Sequence, residues 1–401
     1  MRKSFSRKRT GRQGVGAAAA GGGRTILLWI SRDFEVGRAV LHGIISFAAH
    51  ERSWTLHNLV PLRNYDSYLE RLKPDGVIAQ VSTPKAVRAL ASLGKPVINV
   101  SNMLPQSPFP RVGMDNLAVG RLAAEHLLER GFRHFAFVGQ RHHANSEQRA
   151  AGFVQRLRKA GFSCHCLFRA GTISDTAWQR EDSPLACFVD GLPKPVGLFA
   201  RNGLWAADVA KACRRLRLQV PDDVAIVGVD NDPLECGLSQ PPLSSVEVPA
   251  EQIGLRAAML LEDMMNGKAS PRSPIILPPV RVVTRQSSDV LAVEHADLRG
   301  ALEYIRNHAG EPITVSDVLR EVPVSRRALE QRFAHALGRS PAQEIVRVHI
   351  LRAKNLLSDT DWPMPAVAER SGFTSASRLS AVFRRVVGVA PTTYRQRGRL
   401  S

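Results

Sequence analysis

The strongest constraint on the fold is a repeated alternation of short apolar runs and amphipathic stretches between residues 24 and 229. Residues 26–30 form a run typical of a buried parallel strand, and residues 37–50 then show helical spacing of apolar side chains. Strands separated by helices of this length predict α/β units with right-handed crossovers. We predict strands at 26–30, 76–81, 96–100, 135–139, 196–200 and 224–229, and helices at 37–50, 116–130, 147–160 and 203–217.

Ligands of such sheets bind beyond the carboxyl ends of the strands, so the polar residues just past the predicted strands are the candidate site. They lie at 31–33, 140–149, 201–202 and 230–232.

Two motifs sharpen this prediction. Residues 220–230 read VPDDVAIVGVD and join a helix to a strand that ends in Asp230, and residues 241–246 read PPLSSV. On these motifs, residues 24–286 resemble the ligand-binding domain of LacI-type regulators and periplasmic sugar-binding proteins. The resemblance implies a two-lobed, type I periplasmic-binding-protein-like domain that holds a small molecule, usually a sugar, between the lobes.

Three residues are the candidate ligand contacts, since sugar hydroxyls are recognised by carboxylates, amides and arginines. Asp230 is the candidate acceptor by position, and Arg149 matches the arginine that the LacI type aims into its cleft. Asn202 matches the first residue of that family's Asn-Asp pair, whereas Gly203 replaces the Asp. Each has an alternative: Asp230 as a turn cap, Arg149 as a surface arginine, and Asn202 as a helix N-cap.

The pattern becomes purely helical after residue 296, and one unit occurs twice. In the first copy, helix 315–321 and a turn at 322–324 precede helix 326–337, which Ser325 caps and Gly338 ends. Three residues of this copy, Ser325, Leu329 and Phe333, have counterparts 50 residues later. The counterparts in the second copy are Ser375, Leu379 and Phe383. Two short helices around a tight turn make a helix-turn-helix, and a helix at 342–357 connects the copies.

This segment resembles the DNA-binding domains of the AraC/XylS family over about 100 residues. Its matching positions include Leu329, Phe333, Gly338, 340–341, 352–354, 356–357, 372–373, Phe383, Gly388, Pro391 and 394–395. Pro323 departs from the usual glycine of the first turn, and Ala381 from a long polar residue of the second helix. Two such units would enter successive major-groove segments about 34 Å apart.

The candidate DNA contacts are the exposed polar positions of the second helix of each unit. Arginine can bind guanine, glutamine can bind adenine and glutamate can accept from cytosine, so the reading helix of the first unit is equipped for base contacts. In the reading helix of the second unit, we expect Arg378 to supply most of the direct base readout and the hydroxyls to contact phosphates. Arg384, Arg385 and Arg395 are predicted phosphate clamps, with an ordinary solvated basic helix as the alternative. The base-reading candidates are Arg326, Arg327, Glu330, Gln331, Ser375, Ser377 and Arg378.

Charge supports a polyanionic partner. The formal net charge is +19, with seven basic and no acidic residues in 1–24 and six arginines and no acid in 371–401. Residues 1–23 are predicted to be a disordered basic tail. Five cysteines are expected as buried reduced thiols, with Cys164 and Cys166 on opposite faces of a strand. Lacking a signal peptide and an apolar run of 18 residues, the chain is expected in the cytoplasm.

Together the motifs predict a ligand sensor at 24–286 and an all-α DNA-binding domain at 287–401, with helix-turn-helix units near 314–337 and 364–387. A LacI-like sensor joined to a C-terminal AraC-type domain resembles the xylose-type subgroup of regulators. The expected function is a sugar-responsive activator of carbohydrate metabolism genes. Its expected partners are double-stranded DNA, a monosaccharide effector and a second copy in a homodimer, with RNA polymerase left open and no membrane.

Three alternatives remain. The sensor could only dimerise a constitutive DNA binder, or the chain could be a sugar-binding receptor without a DNA role. An enzyme is disfavoured, because no nucleophile elbow, phosphate-cradling glycine loop or metal-spaced His/Cys set is present. No cofactor and no metal site are predicted.

Overall fold

The structure is a computed structural model that describes residues 23–51, 53–59, 69, 71–104, 107–169, 183–271, 273–290 and 296–400. The predicted basic tail at 1–23 lies outside the described residues except for Gly23. Among the described residues, none of the helices combines the length and the apolar run that crossing a membrane requires.

Residues 23–290 form an α/β region. In chain order its elements are β1 (Arg24–Trp29), α1 (Glu35–Glu51), β2 (Trp54–Asn58), β3 (Gly76–Ala79), α2 (Pro84–Ala91), β4 (Val97–Asn99), β5 (Val112–Met114), α3 (Asn116–Glu129), β6 (His134–Gln140), α4 (Ala144–Lys159), β7 (His165–Arg169), α5 (Pro184–Asp190), β8 (Val196–Ala200), α6 (Gly203–Arg215), β9 (Val224–Val229), α7 (Pro233–Leu238), β10 (Ser244–Glu247), α8 (Ala250–Met265), β11 (Ile275–Leu277) and β12 (Arg281–Val283).

Two sheets divide this region into two lobes. The N-lobe is built on a parallel sheet of order β2-β1-β3-β4, against which α8 returns to pack beside α1. The C-lobe is built on a six-stranded sheet of order β12-β10-β9-β8-β6-β7, in which only β12 is antiparallel. Central strands such as β9 are buried throughout, which explains their continuous apolar sequence.

The chain crosses between the lobes near β5, β10 and β11, and β5 pairs with β11 as a separate two-stranded ribbon. After β12, Ser287 and Ser288 are fully buried against the C-lobe. Ser287 Oγ donates to Ile226 O (2.7 Å), and Ser288 Oγ contacts His126 Nε2 (2.7 Å). The domain boundary at residue 286 stays a prediction. Ser287 and Ser288, the two residues after it, still pack on the sheet of the C-lobe.

Residues 296–400 form a helical region with two separate apolar clusters, one per helix-turn-helix unit. The elements are α9 (Ala296–Asn307), α10 (Val315–Glu321), α11 (Arg326–Leu337), α12 (Pro341–Asp359), α13 (Met364–Arg370), α14 (Ala376–Val387) and α15 (Pro391–Leu400). The first unit is α10 and α11, the second is α13 and α14, and α12 connects them.

In the α/β region the periodicity predicted six strands and four helices to within a few residues. It missed β2, β5, β7, β10, β11, β12, α2, α5, α7 and α8. Of these, β2 and β7 are edge strands that are only partly buried, so neither carries the continuous apolar signal of the central strands. The prediction for Cys164 and Cys166 was wrong. Their sulfurs lie 3.8 Å apart, because side chains two residues apart on an extended chain point to the same side. All five cysteines are free, but only Cys213 and Cys236 are buried.

Candidate ligand cleft and nucleic-acid interface

A cleft of about 640 Å³ lies where the carboxyl ends of the strands of both lobes meet. The N-lobe contributes neutral side chains, and the C-lobe contributes the charged ones. The polar and aromatic N-lobe residues include Trp29, Ser31, Phe34, Gln80, Ser82 and Asn102. The C-lobe residues are Gln140, His143, Asn145, Arg149, Arg201, Asn202 and Asp230.

Arg149 is buried at 3% exposure, so the surface alternative for it is wrong. Its Nε donates to Asn116 Oδ1 (2.9 Å), Nη1 to the carbonyl oxygen of Arg201, and Nη2 lies 3.4 Å from Asp230 Oδ1. Burial lowers the pKa of Arg149, and Asp230 opposes that shift. The arginine therefore crosslinks the ends of three elements at the floor of the cleft.

Asp230 follows β9 with a left-handed backbone (φ 87°), and so does Asn231 (φ 51°). Strained backbone of this kind persists where the surrounding structure holds it, often at functional sites. Asn202 lines the cleft, but its side chain also accepts from Trp205 N (3.1 Å) as the N-cap of α6. The N-cap alternative for Asn202 is therefore observed, and its role as a ligand contact stays a prediction.

Arg201 was not among the predicted ligand contacts, although it directly follows β8. It is 7% exposed, its Nη1 donates to Gln140 Oε1, and its Nε has no hydrogen-bond partner. Burial and, next, the positive charge of Arg149 lower the pKa of Arg201 to about 10, so it stays charged at neutral pH. Position after a strand was the available signal, but its burial could be seen only in the fold.

The α/β region is bonded to the helical region through the end of α3, where the partners lie at the start of α12 and just before it. Glu129 Oε2 accepts from Arg347 Nη1 (2.7 Å), and the carbonyl oxygen of Glu129 accepts from Arg339 Nη2 (3.1 Å). Both arginines also hold Glu344, which is 2% exposed. Arg133 Nη2 adds a bond to His335 O (3.0 Å). No sequence pattern pointed to these contacts, since the partners lie about 200 residues apart.

The second unit meets the α/β region differently. A cavity of about 920 Å³ separates Val387 and Tyr394 from the α/β region, where Val36 and Leu255 of the N-lobe and Asp230 of the C-lobe line it. The first unit is thus in direct contact with the C-lobe, while the second unit faces both lobes across open space.

The helical region presents its predicted reading positions on the outer faces of α11 and α14. Ser325 caps α11 by accepting from Ala328 N (3.2 Å), and Ser375 caps α14 by accepting from Arg378 N (3.2 Å). Leu329 and Phe333 turn inward. The candidates that are exposed are Arg326, Arg327, Glu330, Gln331, Ser375, Ser377, Arg378, Arg384 and Arg385.

Arg395 differs from the other candidates, because it is only half-exposed and its Nη2 donates to Trp362 O (2.7 Å). This bond ties the start of α15 to the loop before α13. The predicted role of Arg395 as a phosphate clamp stays a prediction. What the structure shows is its structural contact with Trp362.

Comparisons with known proteins agree with this two-part architecture. Residues 124–288 match the periplasmic binding protein-like domain family, and residues 318–397 match a helix-turn-helix domain family. The xylose operon regulatory protein of Haemophilus influenzae is 31% identical, over 89% of this chain and 94% of that protein. Its counterpart in Escherichia coli K12 is 29% identical, over 89% and 93%.

Solved structures give the same result. The structure of a xylose-binding transcription activator aligns with a TM-score of 0.60 at 27% identity, covering 93% of this chain and 98% of that one. A LacI-type protein complexed with D-xylulofuranose, from Alkaliphilus metalliredigens, aligns with a TM-score of 0.54 at 21% identity over 66% of this chain and supports the fold of the α/β region alone.

Proposed function

The chain belongs to the family of xylose operon regulatory proteins, sugar-responsive DNA-binding transcription regulators, and from this premise we propose that a monosaccharide in the cleft controls how the two helix-turn-helix units meet DNA. The regulated genes would serve carbohydrate metabolism, and the response to sugar would be activation. The protein would act as a cytoplasmic homodimer, by binding rather than by catalysis, with RNA polymerase as a further partner.

Helix α3 is the observation that carries this proposal. Its first residue, Asn116, binds Arg149 at the cleft, and its last residue, Glu129, binds Arg347 of the helical region. Fourteen residues of helix span about 21 Å. A Cβ at Gly120 would lie 2.0 Å from Arg149 O, so α3 and α4 pack backbone against backbone. The cleft and α12 of the helical region are therefore joined by one rigid element.

Closure of the lobes would then move the helical region as one body relative to the N-lobe. This region follows the C-lobe through Glu129, and the N-lobe moves toward or away from the second unit across the open cavity. Arg38 of the N-lobe already pairs with Asp232 of the C-lobe (3.1 Å), so a contact that changes on closure is in place. Effector binding would shift a population between two placements of the helical region relative to the N-lobe, and so change how two protomers present their DNA-binding regions.

The test measures DNA affinity with and without sugar. An operator is selected from a random DNA library with the full-length protein, and its affinity is measured by fluorescence anisotropy with a panel of pentoses, hexoses and their acids. We expect at least one sugar to raise the melting temperature and change operator affinity by about 5- to 150-fold. A panel that changes neither quantity would contradict the sensor role.

Glu129→Gln tests the connection itself. It should bring the sugar-induced change in operator affinity toward onefold while sugar binding persists. Glu125→Gln is the matched control, because Glu125 lies one turn earlier on α3 and pairs with Arg156 inside the C-lobe (3.3 Å). Equal responses of the two variants would show that coupling does not pass through Glu129.

A further inference from the structure

The charges of the cleft do not balance. Among the described residues that line it, the ionised side chains are Arg149, Arg201 and Asp230, two cations against one anion. His143 adds no positive charge near neutral pH, because burial and then the charge of Arg201 lower its pKa. All three charges lie on the C-lobe, so their imbalance is concentrated at one side of the cleft.

Asp230 and Arg149 already satisfy each other's needs. The three nitrogens of the Arg149 guanidinium are all occupied, by Asn116, the Arg201 carbonyl, Met114 Sδ and Asp230. The single carboxylate pairs with the arginine that organises the floor, and among the described residues no hydrogen bond or ion pair joins it to Arg201. Its charge acts on Arg201 only from a distance, where it opposes the lowering of that residue's pKa.

Arg201 is the cation left over. More than nine-tenths of it is buried, its Nε has no partner, and the bond it does make goes to the neutral amide oxygen of Gln140. Its guanidinium lies over the Trp205 ring at 5.7 Å, which fixes its plane without neutralising its charge. A buried charge whose nearby anion is paired with another cation is costly, so this position calls for a further anion.

Resting on the sugar-sensing role proposed above, we propose that the effector is a sugar acid, a monosaccharide-sized polyol whose single carboxylate pairs with Arg201. A planar carboxylate matches the planar guanidinium in two parallel hydrogen bonds. One negative charge balances the one uncompensated cation, whereas a phosphate would bring nearly two. Neutral N-lobe groups across the cleft, among them Gln80 and Asn102, suit the hydroxyls.

The test compares ligands that differ in the acid group alone. Full-length protein is titrated by calorimetry with D-xylose against D-xylonate, D-glucose against D-glucuronate, and D-galactose against D-galacturonate. We expect at least one acid to bind about tenfold to a hundredfold more tightly than its neutral counterpart, as a charge-assisted hydrogen-bond pair provides. Glucose 6-phosphate serves as the phosphate arm and should bind more weakly than that acid.

Arg201→Gln should remove most of the preference for the acid and change affinity for the neutral sugar less than about threefold. Arg201→Lys, which keeps the charge, should retain part of the preference and guards against a folding defect. Arg214→Gln, at the exposed far end of α6, is the matched control and should behave as the unmodified protein.

Two results would overturn the proposal while leaving the sensor role intact: neutral sugars that bind as tightly as their acids, and phosphate that binds more tightly than every carboxylate. Absence of binding by any sugar, neutral or acidic, would instead contradict the sensor role itself.

Discussion

The first and second helix-turn-helix units have the same scaffold but different turns. In both, a serine caps the second helix, a leucine and a phenylalanine are buried, and a left-handed glycine ends it. The first turn passes through Pro323 without a left-handed residue among the described backbone, while the second needs Gly372 at φ 77°. The same packing has therefore been reached by two backbone routes.

The units also differ in what surrounds them. The first is bonded to the C-lobe at His335, beside the contacts of Arg339 and Arg347, and α11 exposes side chains of mixed charge. The second faces a cavity, and α14 exposes small hydroxyls with Arg378. The comparison teaches that the shared scaffold fixes the position of each reading helix. The exposed side chains of the helix then decide which bases it contacts, and its contacts with the α/β region decide which lobe can move it.

The largest expected effect separates the two turns. A Cβ at Gly372 would lie 2.5 Å from His349 Nε2 and 2.6 Å from Glu311 O, on a backbone that side chains rarely adopt. Gly372→Ala should lower the free energy of unfolding by about 2–4 kcal/mol, from strain and overlap together. Pro323→Gly, the matching change in the first unit, should cost about 1 kcal/mol or less. Urea denaturation of both variants measures the difference, and equal losses would mean that the turns are not distinct.

The next effect separates the reading surfaces. Arg327→Ala should cost about 1–3 kcal/mol of binding at one base pair of the first half-site, and Arg378→Ala the same at one base pair of the second. Ser377→Ala should cost much less, since a hydroxyl to phosphate bond carries little sequence information. Affinities for a set of single-base operator variants give the pattern. Arg384→Ala should lower the affinity for all sequences about equally, because we expect Arg384 to contact a phosphate. If Arg327→Ala gave the same even loss, Arg327 would be a phosphate contact and not a base contact.

The smallest effect is a difference in acid sensitivity. Burial alone would raise the pKa of Glu344, but hydrogen bonds and charge from Arg347 and Arg339 outweigh it and hold the pKa below its usual value. A carboxyl with a lowered folded pKa stabilises above its unfolded pKa, about 4.3, and loses that contribution as pH falls through the folded pKa. The position 50 residues on is Tyr394, which has no such charge. Below about pH 5, the melting temperature should therefore fall as the start of α12 loses its ion pairs with Arg339 and Arg347. Glu344→Gln should make the melting temperature less dependent on pH in this range.

The limits of a helix could be predicted well where its capping residues and its apolar periodicity agree. Ser325 begins α11 and Gly338 ends it, and the predicted limits, 326–337, match the structure. Arg149 and Asp230 could be placed in the cleft because parallel strands end at one edge. Arg201 could not be singled out, since its importance rests on burial and on an Nε without a partner. The pairing of Glu129 with Arg347 joins residues 218 positions apart, and neither helix marks it in its own sequence.

The continuous helix α12, Pro341–Asp359, has a consequence for the DNA that such a protein can keep as its target. Nineteen helical residues make a strut of about 28 Å that cannot lengthen or twist freely. One base pair inserted between the half-sites would rotate the second away by about 35°. Substitutions in the operators of this protein should therefore be tolerated during evolution as long as the spacing of the half-sites stays the same. Insertions and deletions between the half-sites should be removed by selection, because the two reading helices could no longer bind both half-sites at once.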